Sequence, residues 1–470
     1  MNIIVKGEYL KENNRYIFTN DRVLTLNKCN KVEISDDKRV SITTDISAFD
    51  KLYYVSDNGT IAISDKLRDF YDRPIDENLL AFQLYTGFVP YPFTILKGVR
   101  KALPGITMDF KKDGNNKWRC EYNVTELKSF FDAKYDKGGF KRGFLHYINK
   151  LKSLCGEKII ISFSGGFDSF LLANLFKENI RGVCQYRDLP GEAGLEEKFK
   201  NCIKNVPWYV YNQDDIVDTA VMNAYFESLD EPSSDPAGLA EFLMCNKLRQ
   251  CAMINDAIIL DGLGADTIFA NGRNCFKEFL LGKALLGSRR GLGMIKKIPA
   301  ESAIEKSLDY FKSTKTRYYD TFAESAIPDS AYKKEISFVF DLYSNALKKI
   351  ERVNFFAFLN HTLYRNSRSI NRIKPVTDHF KFKFIFPFCH HEIAKMAFSI
   401  PGRYKVGYKT GKKILRNSFR EFDFSCVRSG SFLPGGLWHR ITGSRLLPDY
   451  HKFCLEKWKT NNYSKNRKET

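Results

Sequence analysis

No apolar run in the sequence approaches the roughly 20 residues that a helix needs to span a bilayer. The opening stretch, MNIIVKGEYLKENN, lacks the long apolar core and cleavage site of a secretory signal. A cytoplasmic protein with no membrane span is expected. No CxxC pair occurs among the 11 cysteines, which are scattered from Cys29 to Cys454. An odd, dispersed set without a secretory signal points to reduced thiols rather than a disulfide framework. Cys389, His390 and His391 are adjacent, and neighbours in sequence rarely face one ion, so no metal is expected there. RNP-type aromatic motifs, zinc fingers and other nucleic-acid signatures are also missing. Nucleic acid is therefore not an expected partner, despite a formal charge of +19. That charge fits a lysine-rich solubilising surface, and equally a membrane surface, an acidic peptide or a phosphorylated substrate. There is no internal repeat and no low-complexity block.

What is present is enough to build real cores: 470 residues, 43% of them hydrophobic, with length for two or three domains. Residues 1–125 read as strands and turns. KLYYVSDNGTIAIS (51–64) places two β-rich runs around Asp57-Asn58-Gly59, a hairpin signal. Residues 88–110 are punctuated by Pro and Gly and read as strand and loop. From about 130 the pattern changes. FKRGFLHYINKLKSLC has helical periodicity, and strand KIIISF, helix DSFLLANLFKEN, strand RGVCQY, helix LEEKFKNCIKN and strand WYVYN follow. This alternation predicts a parallel sheet covered by helices. After 257–266 the chain reads as mostly helical to about 445, and KWKTNNYSKNRKET looks like a frayed basic tail. The expected divisions are 1–125, 130–445 and 446–470.

The turn after KIIISF carries the chemistry. Gly165 and Gly166 allow close backbone approach and φ values that other residues avoid. Their N–H groups, with the positive end of the next helix, make an anion cradle, and Ser164 and Ser169 add hydroxyls. Asp168 would repel a phosphate unless it holds a Mg²⁺ that itself holds the phosphates. The loop is not a Walker loop, since no Gly-Lys-Ser/Thr follows, and it is not GxGxxG. A second strand and turn, IILDGLGADTIF (258–269), brings Asp261, Gly262 and Asp266. Asp266 is placed to be the second Mg²⁺ carboxylate; the plainer reading of it is a helix N-cap.

SGGFDS resembles the pyrophosphate loop of ATP pyrophosphatases, and several segments together resemble the asparagine synthetase family. TGFVPYPFTILKGVRKALPG (86–105) is similar to its interdomain link, LDEPSSDPAGLAEFLMCNKLR (229–249) to its Asp-Glu-Pro…Asp-Pro segment, and DGLGAD to its Ser-Gly-Glu-Gly-x-Asp turn. FPFCHHEIAKMAFSIP (386–401) resembles its Pro-Phe-Leu-Asp helix start, and GKKILRNSF (411–419) its Thr-Lys-x-Leu-Leu-Arg segment. The resemblance implies an α/β fold: a degenerate glutaminase-like, β-rich sandwich, then a parallel α/β synthetase domain with a helical half. It implies activation of a carboxylate by ATP as an acyl-adenylate, release of AMP and PPi, and attack by an amine. It also carries Ser164, Gly165, Gly166, Asp168, Ser169, Asp261, Gly262 and Lys412 over as nucleotide-binding residues, Asp168 and Asp266 as Mg²⁺ ligands, and Lys412 and Arg428 as catalytic.

Three departures sharpen this. Glutamine-using members begin Met-Cys, whereas this chain begins Met1-Asn2, and its nearest cysteine is Cys29; no glutamine hydrolysis is expected. Leu263 stands where asparagine synthetases have Glu and β-lactam synthetases Tyr, and Leu carries no proton. The base is then water, the released PPi, or a group such as His390 or His391. Arg428 stands in the slot of a family lysine and Ser431 in that of a Phe. An arginine there keeps the charge and does not act as an acid. A glutaminase-deficient branch of the family closes rings, and the pattern is most similar to the microcin-type lasso peptide cyclases. The expected reaction is therefore macrolactam formation on a peptide, joining its N-terminal amine to an Asp or Glu side chain, with a precursor-processing protease as a candidate partner. The rivals are amidation of a small molecule or sugar acid with free ammonia or another amine, a non-catalytic binding subunit, and a tRNA-modifying ATP pyrophosphatase.

Overall fold

The computed structural model describes residues 3–6, 9–13, 15–18, 30–46, 51–57, 59–136, 138–187, 200, 206–212, 219–250, 256–270, 330–363, 373, 376, 379–407, 411–424, 427, 442 and 447–463. In chain order the strands are β1 (Ile3–Val5), β2 (Leu10–Glu12), β3 (Arg15–Phe18), β4 (Asn30–Asp36), β5 (Arg39–Thr43), β6 (Tyr53–Asp57), β7 (Thr60–Ser64), β8 (Arg100–Lys101), β9 (Thr107–Lys112) and β10 (Trp118–Asn123). Then come β11 (Ile159–Ser162), β12 (Ile180–Arg187), β13 (Trp208–Asn212), β14 (Ile258–Leu260) and β15 (Lys383–Ile385). The helices are α1 (Glu77–Thr86), α2 (Thr125–Phe131), α3 (Gly139–Cys155), α4 (Phe167–Leu175), α5 (Thr219–Ser228), α6 (Pro236–Gln250) and α7 (Ala265–Ile268). They continue with α8 (Ser330–Ala346), α9 (Arg352–Leu359), α10 (His391–Ser399), α11 (Gly402–Lys405), α12 (Lys413–Ser418) and α13 (Leu447–Trp458).

The first third of the chain forms two sheets, of order β1-β7-β6-β8 and β10-β9-β5-β4-β3-β2. The hairpin read from Asp57-Asn58-Gly59 is there: β6 and β7 pair antiparallel, Asp57 opposite Thr60, with Gly59 at φ +72°. The glycine takes the left-handed backbone that a tight turn requires.

The remaining strands form one parallel sheet of order β13-β12-β11-β14-β15. Side chains alternate along a strand, so a sheet covered on both faces reads as an unbroken apolar run. That is why KIIIS shows no polar alternation. Ile159 and Ile161 enter one buried cluster with Leu260 and Phe170, and Ile160 enters the other with Ile259 and Cys184. The strand order reverses between β11 and β14, which are both central. At such a switch point the two following loops diverge and leave a crevice beyond the strand ends.

Two expectations need correction. The stretch read as mostly helical after residue 266 also contains a strand, β15, which pairs with β14 through Leu260 opposite Ile385. KFKFIF alternates charge and aromatic, a strand signal, and it closes the sheet beyond β14. The frayed tail is folded over much of its length: α13 runs from Leu447 to Trp458, and a further helical turn reaches Tyr463. Trp458 is fully buried and donates Nε1–H to the Leu229 carbonyl (3.2 Å); Tyr463 donates its hydroxyl to the Arg73 carbonyl (3.0 Å). Basic residues hid two large aromatic anchors at tertiary contacts. The expected helix 195–205 lies outside the described residues, apart from Lys200.

The LDEPSSDP segment packs against the β1-β7-β6-β8 sheet and the turn that follows β7. Glu231 is buried between Lys101 Nζ (2.7 Å), Lys51 Nζ (3.5 Å) and the Tyr53 hydroxyl, which donates to it at 2.6 Å. Arg68 Nε reaches Asp230 at 2.7 Å, and the Tyr71 hydroxyl donates to the Asp230 carbonyl at 2.7 Å. Desolvation pushes the Glu231 carboxyl up, yet Lys101 and Lys51 together outweigh it and hold the group below its ordinary value. Desolvation brings Lys51 down to about 7, against the pull of Glu231.

Candidate functional site

Both glycine turns open at the switch point. The first leaves β11. Gly165 has φ +71°, which only glycine adopts without strain. Ser164 and Ser169 knit the loop: their hydroxyls lie 3.2 Å apart, Ser164 Oγ accepts from the Gly166 amide (3.3 Å), and Ser169 Oγ donates to the Gly166 carbonyl (3.1 Å). Ser164 is exposed and Ser169 buried. Ser169 therefore shapes the turn from within, and Ser164 stands on its open side. α4 starts immediately after, and its N-cap is Gly166 with no side-chain cap.

The second turn leaves β14. Asp261 accepts the Leu263 amide on Oδ1 (2.7 Å), a turn-forming role. Gly264 has φ +98°, and a Cβ there would come within 2.6 Å of Cys389 Sγ. Gly262 carries the closest approach between the turns: a Cβ on it would lie 2.9 Å from Asp168 Cβ. Gly262→Ala is accordingly expected to push the turns apart and destabilise the chain by about 1–3 kcal/mol, as overpacking does. Urea unfolding checks the loss; an unchanged midpoint would remove the close-approach account.

Neither aspartate caps a helix; α7 has Gly264 at its N-cap. Asp168 and Asp266 converge instead on one ammonium. Lys412 Nζ is paired with Asp168 Oδ2 and lies 2.6 Å from Asp266 Oδ1. Lys412 precedes α12 at φ +56°, a left-handed conformation costing an L-residue about 1 kcal/mol or more. Burial alone lowers its pKa, but Asp168 and then Asp266 outweigh that and raise it, so it stays charged. Three residues spread over 244 positions thus meet at one point.

Residues 158–422 match the sequence model of the family described as Asparagine synthase, more than half of the chain. The chain belongs to the asparagine synthase family. No curated protein matches it. ATP-dependent amide bond formation, by a carbon–nitrogen ligase of the asparagine synthetase type, is therefore its general chemistry, and the family uses ATP, typically with Mg²⁺. The site suits such a metal. Two hard carboxylates already share a cation here, and Mg²⁺ is characteristically held by one or two carboxylates plus substrate phosphates. No group of three or more His, Cys, Asp or Glu that could hold a metal occurs among the described residues. No described helix is long and apolar enough to cross a membrane.

Other expected site residues fare differently. Leu263 sits in the second turn with its carbonyl accepting from Cys389 Sγ (3.3 Å) and its side chain packed on the core. His390 is buried, stacks on Tyr147 at 4.4 Å and caps α10 by accepting the Glu392 amide on Nδ1 (3.3 Å). It does there what an Asp does at such a helix start. His391 packs edge-on against Phe130. Arg428, Ser431 and Cys29 lie outside the described residues.

Sequence reasoning missed the groups behind the turns. His361, buried just past α9, bonds through Nδ1 to Thr267 Oγ1 at 2.9 Å, next to Asp266. Lys405, fully buried, donates to the Ile268 carbonyl (3.0 Å) and to Asn354 Oδ1 (2.7 Å), holding the end of α7. No sequence signal links these positions. Arg416 had one: it is four residues from Lys412, the spacing of one helix face.

Proposed function

We propose that the chain closes a macrolactam on a peptide. The peptide's Asp or Glu carboxylate attacks the α-phosphorus of ATP, the bond to the β-phosphate oxygen breaks, and PPi leaves. The peptide's own N-terminal amine then attacks the acyl carbon, the bond to AMP breaks, and the proton passes to water or PPi. The Ser164–Ser169 loop binds the diphosphate; Asp168, Asp266 and Lys412 orient it, the carboxylates holding Mg²⁺ when it is bound. Bound Mg²⁺ neutralises charge on the leaving diphosphate. Holding amine and acyl carbon in one molecule supplies an effective molarity of ~10⁵ M or more.

The observation that supports ring closure over ammonia transfer is Leu263. An apolar side chain packed on the core stands in the second turn and can carry no proton, so the step suits an amine that is already held against the acyl carbon. Pre-positioning, rather than a dedicated base, then drives the step. Incubating the chain with ATP, Mg²⁺ and peptides that have a free N-terminal amine and one internal Asp or Glu is expected to release AMP and PPi and to yield a product lighter by one water. Robust AMP release with ammonium alone, and no peptide, would replace this reading with small-molecule amidation.

A further inference from the structure

Arg416 lies one helical turn beyond Lys412. Its guanidinium carbon sits 4.3 Å from the Phe167 ring centre and 6.0 Å from that of Phe424, and these rings are 4.6 Å apart. Phe167 stands between Gly166 and Asp168 in Ser-Gly-Gly-Phe-Asp-Ser, so the guanidinium rests on the turn itself. Its Nε is buried and makes no hydrogen bond among the described residues. Burial is the largest influence on the group, opposed by the nearby Asp168 carboxylate. Arg416 is therefore a half-buried cation, close to the site, stacked on aromatic faces with no salt bridge to a described carboxylate.

Charge gives this arrangement a purpose. Asp168, Asp266 and Lys412 sum to −1, which repels a polyphosphate. Arg416 brings the four-residue group to neutrality. A guanidinium offers a planar fork of donors that matches phosphate oxygens bidentately, which an ammonium cannot do. Stacking on Phe167 and Phe424 holds the fork in place without using its donors.

We propose that Arg416 is a binding residue for the β,γ-diphosphate of the nucleotide and for the PPi it becomes, with the Phe167 and Phe424 faces as its resting platform. The inference rests on reading the Ser164–Ser169 turn as a diphosphate cradle. Calorimetric titration of the full chain with inorganic pyrophosphate plus Mg²⁺ tests it, with AMP, which lacks these phosphates, as the control. R416M is expected to bind pyrophosphate about tenfold to a hundredfold more weakly, the worth of a charge-assisted contact. Its AMP affinity and melting temperature should stay near wild type. R416K keeps the charge, loses the fork, and is expected to fall between the two; it also serves should R416M fail to fold. Unchanged pyrophosphate affinity in both variants overturns the proposal, as does parallel loss of AMP binding, which would mean a collapsed site. If the wild-type chain itself binds no pyrophosphate, the cradle reading fails first.

Discussion

Asp168→Asn and Asp266→Asn are each expected to cut ATP-dependent turnover by about a hundredfold or more, the usual effect of removing a preorganised electrostatic contact to developing charge. Lys412→Met is expected to lose turnover too, and it carries a second, opposite signature. With no nucleotide, the Lys412 ammonium already occupies the space between the two carboxylates. Removing it leaves two like charges facing one another, which favours any divalent cation that can lie between them. Mn²⁺ titration followed by electron paramagnetic resonance should therefore show tighter metal binding in nucleotide-free Lys412→Met than in wild type. Mg²⁺ should raise its melting temperature more than that of the parent. Full turnover in Asp168→Asn, or equal Mn²⁺ affinity with and without the ammonium, would break the link between these three residues.

Glu231→Gln is expected to destabilise the chain by about 3–5 kcal/mol, because it strands two buried lysines without their anion. The cluster should also shape stability against pH. Glu231 titrates below its ordinary value when folded, so its contribution is present above about 4.5 and is lost as pH falls through the folded value. Lys51 works the other way: folded it titrates at about 7, unfolded at 10.5. Between these values the unfolded chain holds more protons, so stability rises with pH, by at most about 1.4 kcal/mol per unit. Chemical unfolding from pH 7 to 9 should show this rise in wild type and a flatter profile in Lys51→Met. Identical slopes would mean that Lys51 stays charged in the fold.

Much of the site was legible because its signals are local. Gly165 announces a left-handed turn, and an apolar strand before a Gly-Gly-x-Asp pattern announces a tight turn followed by a helix. The hairpin at Gly59 was legible for the same reason. His390 could be named only as one alternative for the base, because two adjacent histidines give no hint that one stacks on Tyr147 and caps α10. The C-terminal segment was misjudged because its lysines and arginine suggest a solvated tail, while its fold rests on buried Tyr450, Cys454, Leu455, Trp458 and Tyr463. Glu231 could be quoted as part of a motif, yet nothing around it in sequence announces that Lys51 and Lys101, well over a hundred residues away, close on it.

The sequence by itself determined the backbone chemistry: which glycines turn, where strands give way to helices, and which carboxylates and cations are available. These properties depend on φ preferences and on apolar periodicity over a few residues. Only the tertiary structure decided that Asp168, Asp266 and Lys412 share one point, that Arg416 lies on Phe167, and that Glu231 closes on Lys51 and Lys101. The reason lies in the order β13-β12-β11-β14-β15. Which strands become neighbours is chosen by burying both faces of the whole sheet at once, a global condition that no local stretch of residues expresses.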